Sequence, residues 1–248
     1  CVPERPVACD EKPGKISDMF KALFKNDQAM TVVVSIILVY TSLNICGNLV
    51  LYFFRFDVGN EGAYSIFAAV AFAAQVLVMM VIPLLRKRFS KSQLFISGFI
   101  IQIAGFAVIL IMAFAKLYTP QSWYILCLPG ILIYLGYGML NVIMTIFLSD
   151  SVDYGEVMNG TREESVIFSM QTFTVKLASG VAVFLAGLVV DWIHLDTAAA
   201  VQTQDTLDAL RMWMTIPSVI LLIVGIFVFK RFYKLDDTRM EEIKSKLN

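Results

Sequence analysis

Ser165-VIFSMQTFTVKLASGVAVFLAGLVVD-Trp192 is long and apolar enough to cross a bilayer once, yet it carries a lysine, Lys176, near its middle. The hydrocarbon core of a membrane is about 30 Å thick, which about 20 mainly apolar residues span as a helix. Only a helix or a closed barrel satisfies its own backbone hydrogen bonds in lipid. Small residues recur through the stretch, at Ala178, Ser179, Gly180, Ala182, Ala186 and Gly187. They allow close backbone approach, so tight packing against neighbouring helices is expected along them.

Five further runs pass the same test, approximately over residues 31–54, 63–84, 94–115, 123–148 and 210–230, making 165–192 the fifth of six. The 248 residues are 58% hydrophobic and the mean hydropathy is +0.73, so lipid rather than water is the main solvent. The expected fold class is an all-α membrane protein, a six-transmembrane-helix bundle over 29–230. A cytoplasmic linker at 1–28 precedes it and a cytoplasmic tail at 231–248 follows. In the linker, Ile16, Met19, Phe20, Leu23 and Phe24 have helical spacing and predict an amphipathic helix. A second is expected in the tail around Leu235, Met240 and Ile243. Pro129-Gly130 and Pro217 predict kinks in the fourth and sixth segments.

Basic residues in short loops mark the cytoplasmic side. Five precede the first segment, Arg86, Lys87, Arg88 and Lys91 join the second to the third, and Lys230, Arg231 and Lys234 begin the run after the sixth. The opposite side holds Arg55, Lys116 and Arg211. Both termini are therefore expected in the cytoplasm of a cell whose inner membrane holds the chain. Twenty basic and twenty acidic residues cancel, which gives no argument for a nucleic-acid partner. The chain opens on Cys1 rather than Met, and is expected to be part of a longer protein.

Lys176 is too deep to reach either surface, and an ammonium at mid-membrane costs about 2.5–3.5 kcal/mol on insertion scales. It is expected to face a wet cavity, with Gln171, Thr172, Val175 and Ser179 on the same side and Val166, Phe173, Leu177 and Phe184 on the other. No carboxylate falls at membrane depth in this chain, so its partner is expected elsewhere. Thr41, Asn44 and Asn48 in the first segment, with Tyr40 alongside, form a second polar stripe. Tyr134, Gly138, Asn141 and Thr145 in the fourth form a third. Amides and hydroxyls at that depth suit sugar hydroxyls and interhelical hydrogen bonds equally.

Between the fourth and fifth segments, Ser149 to Ser165 reads as a loop rich in acids, Asp150, Asp153 and Glu156, with Arg162 following. Acids at the carboxyl end of a helix oppose its dipole and need cationic partners. A breakable ion-pair latch closing the cytoplasmic side is expected there, with Arg162 as one candidate partner. Neither a zinc site nor a disulfide framework is indicated by Cys1, Cys9, Cys46 and Cys127. The absence of HExxH and GxSxG signatures, and of acids at membrane depth, weighs against a membrane-embedded enzyme. A non-transporting membrane subunit is the remaining alternative, and it leaves Lys176 and the acid cluster unexplained.

The run Asp150-Ser151-Val152-Asp153-Tyr154-Gly155-Glu156, followed by Arg162, Gln171-Thr172 and Lys176, resembles the glycoside-pentoside-hexuronide:cation symporter family. The resemblance extends over all six segments. It implies the C-terminal half of a twelve-helix major-facilitator fold, whose two bundles swap access to a central sugar site. By the same resemblance, Gln171, Thr172, Val175 and Lys176 line the sugar cavity, and Asn141, Thr145, Asn44 and Asn48 of the other two polar stripes are candidate sugar contacts. Asp150, Asp153, Glu156 and Arg162 belong to the cytoplasmic gate. The implied partners are a sugar or glycoside, the bilayer and the N-terminal six-helix bundle of the same protein. That bundle, not this chain, would bind the coupling Na⁺ or H⁺, and no other cofactor is implied. The position matching a sugar-site tryptophan in the melibiose branch of the family is Asn141 here.

Overall fold

The computed structural model describes residues 24–160, 164–235 and 237–247. The linker expected before residue 24 and the gate residue Arg162 lie outside the described residues. Seven α-helices are present among those described: α1 Asp27–Tyr52, α2 Ala63–Leu85, α3 Lys91–Phe114, α4 Cys127–Asn159, α5 Glu164–Trp192, α6 Gln204–Phe232 and α7 Asp237–Leu247. The first six are long and apolar enough to cross a membrane. They run up and down, so α1 begins and α6 ends at one end of the bundle, here called the termini end.

Local chemistry fixes where the helices start. Asn26 caps α1 by accepting from the Ala29 N–H (3.0 Å), and Thr203 caps α6 by accepting from Thr206 (3.2 Å). Ser90 and Gln93 form a reciprocal capping box at α3. Each satisfies a donor that the first turn of a helix leaves orphaned.

In the bundle, α4 lies against α3 and α2, while α1 lies against α6, α5 and, less extensively, α4. Glycines set the closest crossing. A methyl group on Gly136 of α4 would lie 2.6 Å from both the Gly98 carbonyl oxygen and the Gln102 nitrogen of α3, and one on Gly105 would meet Ile133 at 2.7 Å. Midway along α1 and α6, Ser42 and Ser218 exchange hydrogen bonds to each other's backbone carbonyl (3.1 and 2.8 Å). An apolar core of Phe95, Phe99, Phe106, Phe147 and Phe229 fills the space between α3, α4 and α6.

The far end is closed by a clasp that sequence reading missed. A π-helical turn, Phe53–Asp57, continues α1 and delivers Asp57 to Arg211 of α6. The guanidinium grips that carboxylate with two nitrogens (2.9 and 2.5 Å) and bonds Asp208 with a third (2.7 Å). Tyr118, from the connection after α3, donates to Asp57. Burial, then the Asp57 carboxylate, pushes the Tyr118 hydroxyl well above the usual phenol range, keeping it a donor.

Three expectations need correction. α4 does not stop near residue 148 but runs to Asn159, where Gly160 ends it with a left-handed φ of 72°. Most of the Ser149–Ser165 loop is thus helix, because loss of hydropathy marks the edge of lipid and not the end of hydrogen bonding. Pro129 lies in the first turn of α4, where a missing N–H breaks no intrahelical bond, so it starts that helix instead of kinking it. Pro217 is inside α6, as expected. Finally, the small residues of α5 divide: Ala178, Ala182 and Ala186 are buried, while Gly180 and Gly187 face open space.

Gly136→Ala should therefore separate α3 from α4, at a cost of about 1–3 kcal/mol for an overpacked contact. Thermal unfolding of the purified full-length protein in detergent checks this, and an unchanged melting temperature would contradict the crossing described.

Candidate functional site

Two polar regions stand out, a groove along the middle of the bundle and a charge cluster at the termini end. The groove arises because α1 touches both α4 and α5, whereas α4 and α5 touch each other little. α1 is thus the floor and the other two helices are the walls.

Across the floor, the side-chain amide of Asn141 on α4 donates to the Tyr40 hydroxyl on α1 (2.5 Å). One turn along α4, Thr145 donates to the Asn141 carbonyl (3.1 Å), and Gln171 of α5 reaches Thr145 (3.5 Å). Tyr40, Asn141, Thr145 and Gln171 thereby link all three helices. Asn44 and Asn48 each spend one amide proton on the carbonyl four residues back, Tyr40 and Asn44, at 2.7 Å. Such bonds hold an amide against its own helix and leave its oxygen available.

On α5, Thr172 and Lys176 are exposed, and Gln171, Val175 and Ser179 are half-buried. Val175 packs against the apolar core, so it contributes shape rather than polarity. Thr172 satisfies its hydroxyl on the Phe168 carbonyl (3.3 Å). Among the described residues, no carboxylate makes an ion pair with Lys176. The apolar side of α5 is open in this bundle: Phe173, Leu177 and Phe184 are 50%, 49% and 65% exposed. The buried stripe is instead Thr174, Ala178 and Ala182, against α1.

At the termini end, Asp150 is buried and forms an ion pair with Lys91, the first residue of α3, itself buried. Lys91 also lies 3.4 Å from Asp237 at the start of α7, which Arg86 approaches at 3.7 Å. A lysine in the first turn opposes the helix dipole, so Lys91 is stable there only with carboxylates around it. Sequence reading counted it as one more loop cation. Its place directly after the Ser90 cap was the available signal.

The neighbours of Asp150 are equally engaged. Asn26 donates to the Ser151 carbonyl (2.7 Å), and Gly155 lies so close to Asn26 that a methyl group there would meet its amide at 2.8 Å. Tyr154 and Val157 pack on Leu235, Met240 and Ile243 of the C-terminal segment. Asp153 and Glu156 also have partners in the fold. Beneath the ion pair, Tyr233 lies against Phe147 and Phe229. Burial, then Asp150 and Asp237, drives its hydroxyl far above the usual phenol range. Asp150 and Asp153 therefore sit inside a continuous helix rather than at its end, Glu156 lies in its last turn, and Asp150 is held by Lys91. The macrodipole argument therefore does not bear on Asp150, and Arg162, one candidate partner for the acids, lies outside the described residues.

The fold is that of a multi-pass membrane protein in which polar side chains of α1, α4 and α5 meet, with Lys176 exposed on α5 beyond Gln171. The family model described as MFS/sugar transport protein matches residues 4–237, and the chain belongs to that family. It is similar to the uncharacterized symporter YjmB of Bacillus subtilis, with 25% identity over 94% of this chain and 49% of that protein. It is also similar to the raffinose carrier protein of Pediococcus pentosaceus, 23% identical over 94% of this chain and 35% of the carrier. A third relative is the isoprimeverose transporter of Lactiplantibacillus pentosus, 25% identical over 91% and 46% of the two chains. The chain spans about half, or less, of the length of these relatives.

Lys91→Ala or Asp150→Ala alone should destabilise the full-length protein by roughly 3–5 kcal/mol, because each strands a buried charge. Joint replacement by Met and Leu should cost less than either. A double-mutant cycle on detergent melting curves measures this, and additive losses would show that the pair is not coupled.

Proposed function

We propose that this chain is one half of a cation-coupled sugar symporter that works by alternating access, without covalent chemistry. The observation that carries the reading is the groove. Neutral amides and hydroxyls from α1, α4 and α5 converge there, with an ammonium on α5 that pairs with no carboxylate among the described residues, in a chain of the sugar-transport family. Sugars present many hydroxyls and no large apolar face, and a few fixed polar groups in a concave site can orient them.

The relatives named for raffinose and isoprimeverose carriage support a glycoside or pentoside substrate, and a hexuronide would place its carboxylate near Lys176. The groove is open on one side, and the N-terminal bundle of the full protein would close it. The coupling Na⁺ or H⁺ would bind in that bundle. Alternating access then follows if the two bundles rock about the shared site, with cation binding favouring the state that binds sugar. The termini end, rich in lysine and arginine, would face the cytoplasm across the inner membrane. There the Asp150 and Lys91 cluster would form part of the closing surface.

Uptake by the full-length protein in vesicles tests this, using imposed Na⁺ or H⁺ gradients and labelled glycosides, pentosides and hexuronides. Gradient-driven uptake of one class is expected. Lys176→Ala should reduce it about tenfold or more, since a hydrogen bond from a charged donor contributes roughly 1.5–3 kcal/mol. No sugar uptake under either gradient rejects the symporter reading, and an unaltered mutant removes Lys176 from the site.

A further inference from the structure

Tyr40 stands where the floor of the groove meets the α4 wall, and its side chain is fixed from several directions. Its hydroxyl oxygen accepts from Asn141 Nδ2 (2.5 Å). Its ring lies edge-on to that of Tyr137, with centroids 5.5 Å apart and planes at 76°. Tyr40 and Asn141 are also polar neighbours of the Tyr137 hydroxyl. The backbone carbonyl of Tyr40 accepts from Asn44. Tyr137 is buried, whereas Tyr40 is only half-buried, so within this group Tyr40 is the phenol that reaches the groove.

Depth brings Tyr40 level with Lys176. Asn141 is four residues from Thr145, and Lys176 is five from Gln171, while Thr145 and Gln171 touch. α4 and α5 run in opposite directions, so both displacements point toward the far end, by about 6 and 7.5 Å at 1.5 Å per residue. A ligand lying across the groove would meet a neutral phenol on one side and an ammonium on the other.

A phenol has one proton and two lone pairs. Asn141 takes one lone pair, and in doing so sets the direction of the rest. We propose that Tyr40 is a specificity-determining contact, exchanging a hydrogen bond with one particular hydroxyl of the sugar, and that Asn141 is its positioning residue. This rests on the reading of the groove as a sugar site. Asn141 and Tyr137 engage the Tyr40 hydroxyl from the bundle side, so a sugar lacking that hydroxyl forfeits the bond on the groove side, and the site discriminates against it. Sites built to bond a substrate hydroxyl reject analogues without it far more strongly than apolar pockets reject a missing methylene.

The test uses the full-length protein in vesicles and, as competitors, the singly deoxygenated analogues of whichever sugar it transports. In the wild type, one analogue should compete about tenfold or more weakly than the parent. In Tyr40→Phe, the KM for the parent should rise toward the value for that analogue, by more than Vmax falls. The penalty for that one deoxy position should disappear while the others persist. Asn141→Leu should erase the same penalty, and it carries the test alone if Tyr40→Phe fails to reach the membrane. An unchanged deoxy pattern, or a loss confined to Vmax at constant KM, overturns the proposal and makes Tyr40 structural. Absence of any sugar uptake by the wild type overturns this proposal together with the symporter reading, whereas an unchanged pattern in a working transporter overturns this one alone.

Discussion

A charge can enter this bundle only with its partner, and that constraint shapes both ends of the molecule. In lipid the backbone is satisfied by helix formation, which leaves side-chain charge as the remaining large cost. Asp57 and Arg211 meet that cost at the far end by a two-nitrogen grip, each only 3% exposed. Lys91 and Asp150 meet it at the termini end, at 7% and 6%. The first pair joins the π-helical end of α1 to α6, distant in sequence, and the second joins the consecutive helices α3 and α4. Such pairs are weak evidence for net stability, because desolvation offsets much of their attraction. Their effect is on register, since a helix that slid by one turn would strand two buried charges at once.

Between these ends the helices are held by shape. Gly98, Gly105 and Gly136 bring the α3 and α4 backbones together, and the phenylalanine cluster fills the core beside them. α2 and α5 are the least embedded of the six, and α5, the less embedded wall, carries the exposed Lys176 and Thr172.

How much of this could be read from sequence depended on what each signal measures. Hydropathy measures contact with lipid, so the six spans were legible, and Lys176 was conspicuous because it broke an apolar run. The same signal was blind to helix lying outside the lipid, which is why α4 was ended some ten residues early. Charges near the ends looked solvated in sequence. Lys91 and Arg211 are buried only because distant segments bring Asp150 and Asp57 to them, and such pairing is invisible to local pattern. Asn141 and Thr145 were identified from helical spacing, but their link to Tyr40 and Gln171 required the packing of three helices. Tyr40 was noticed beside the first polar stripe, and nothing in its own segment distinguished it from an interfacial tyrosine.

The surroundings of Lys176 follow from the angular order of residues on α5. At about 100° per residue, three sectors succeed one another around the helix. Thr174 and Ala178 face α1, Thr172 and Lys176 point away from it, and Phe173, Leu177 and Phe184 lie between these on one side. The exposed apolar sector requires lipid or another helix against it, whereas the ammonium requires water or oxygen ligands. Both needs are met where lipid or another helix covers the apolar sector while the polar one opens on a wet space. A lipid face alone would satisfy Phe184 and penalise Lys176, and an open aqueous face would do the reverse. The two sectors of α5 thus call for different surroundings within one turn of the helix, and a wet space beside Lys176 with apolar cover over Phe173 and Leu177 satisfies both.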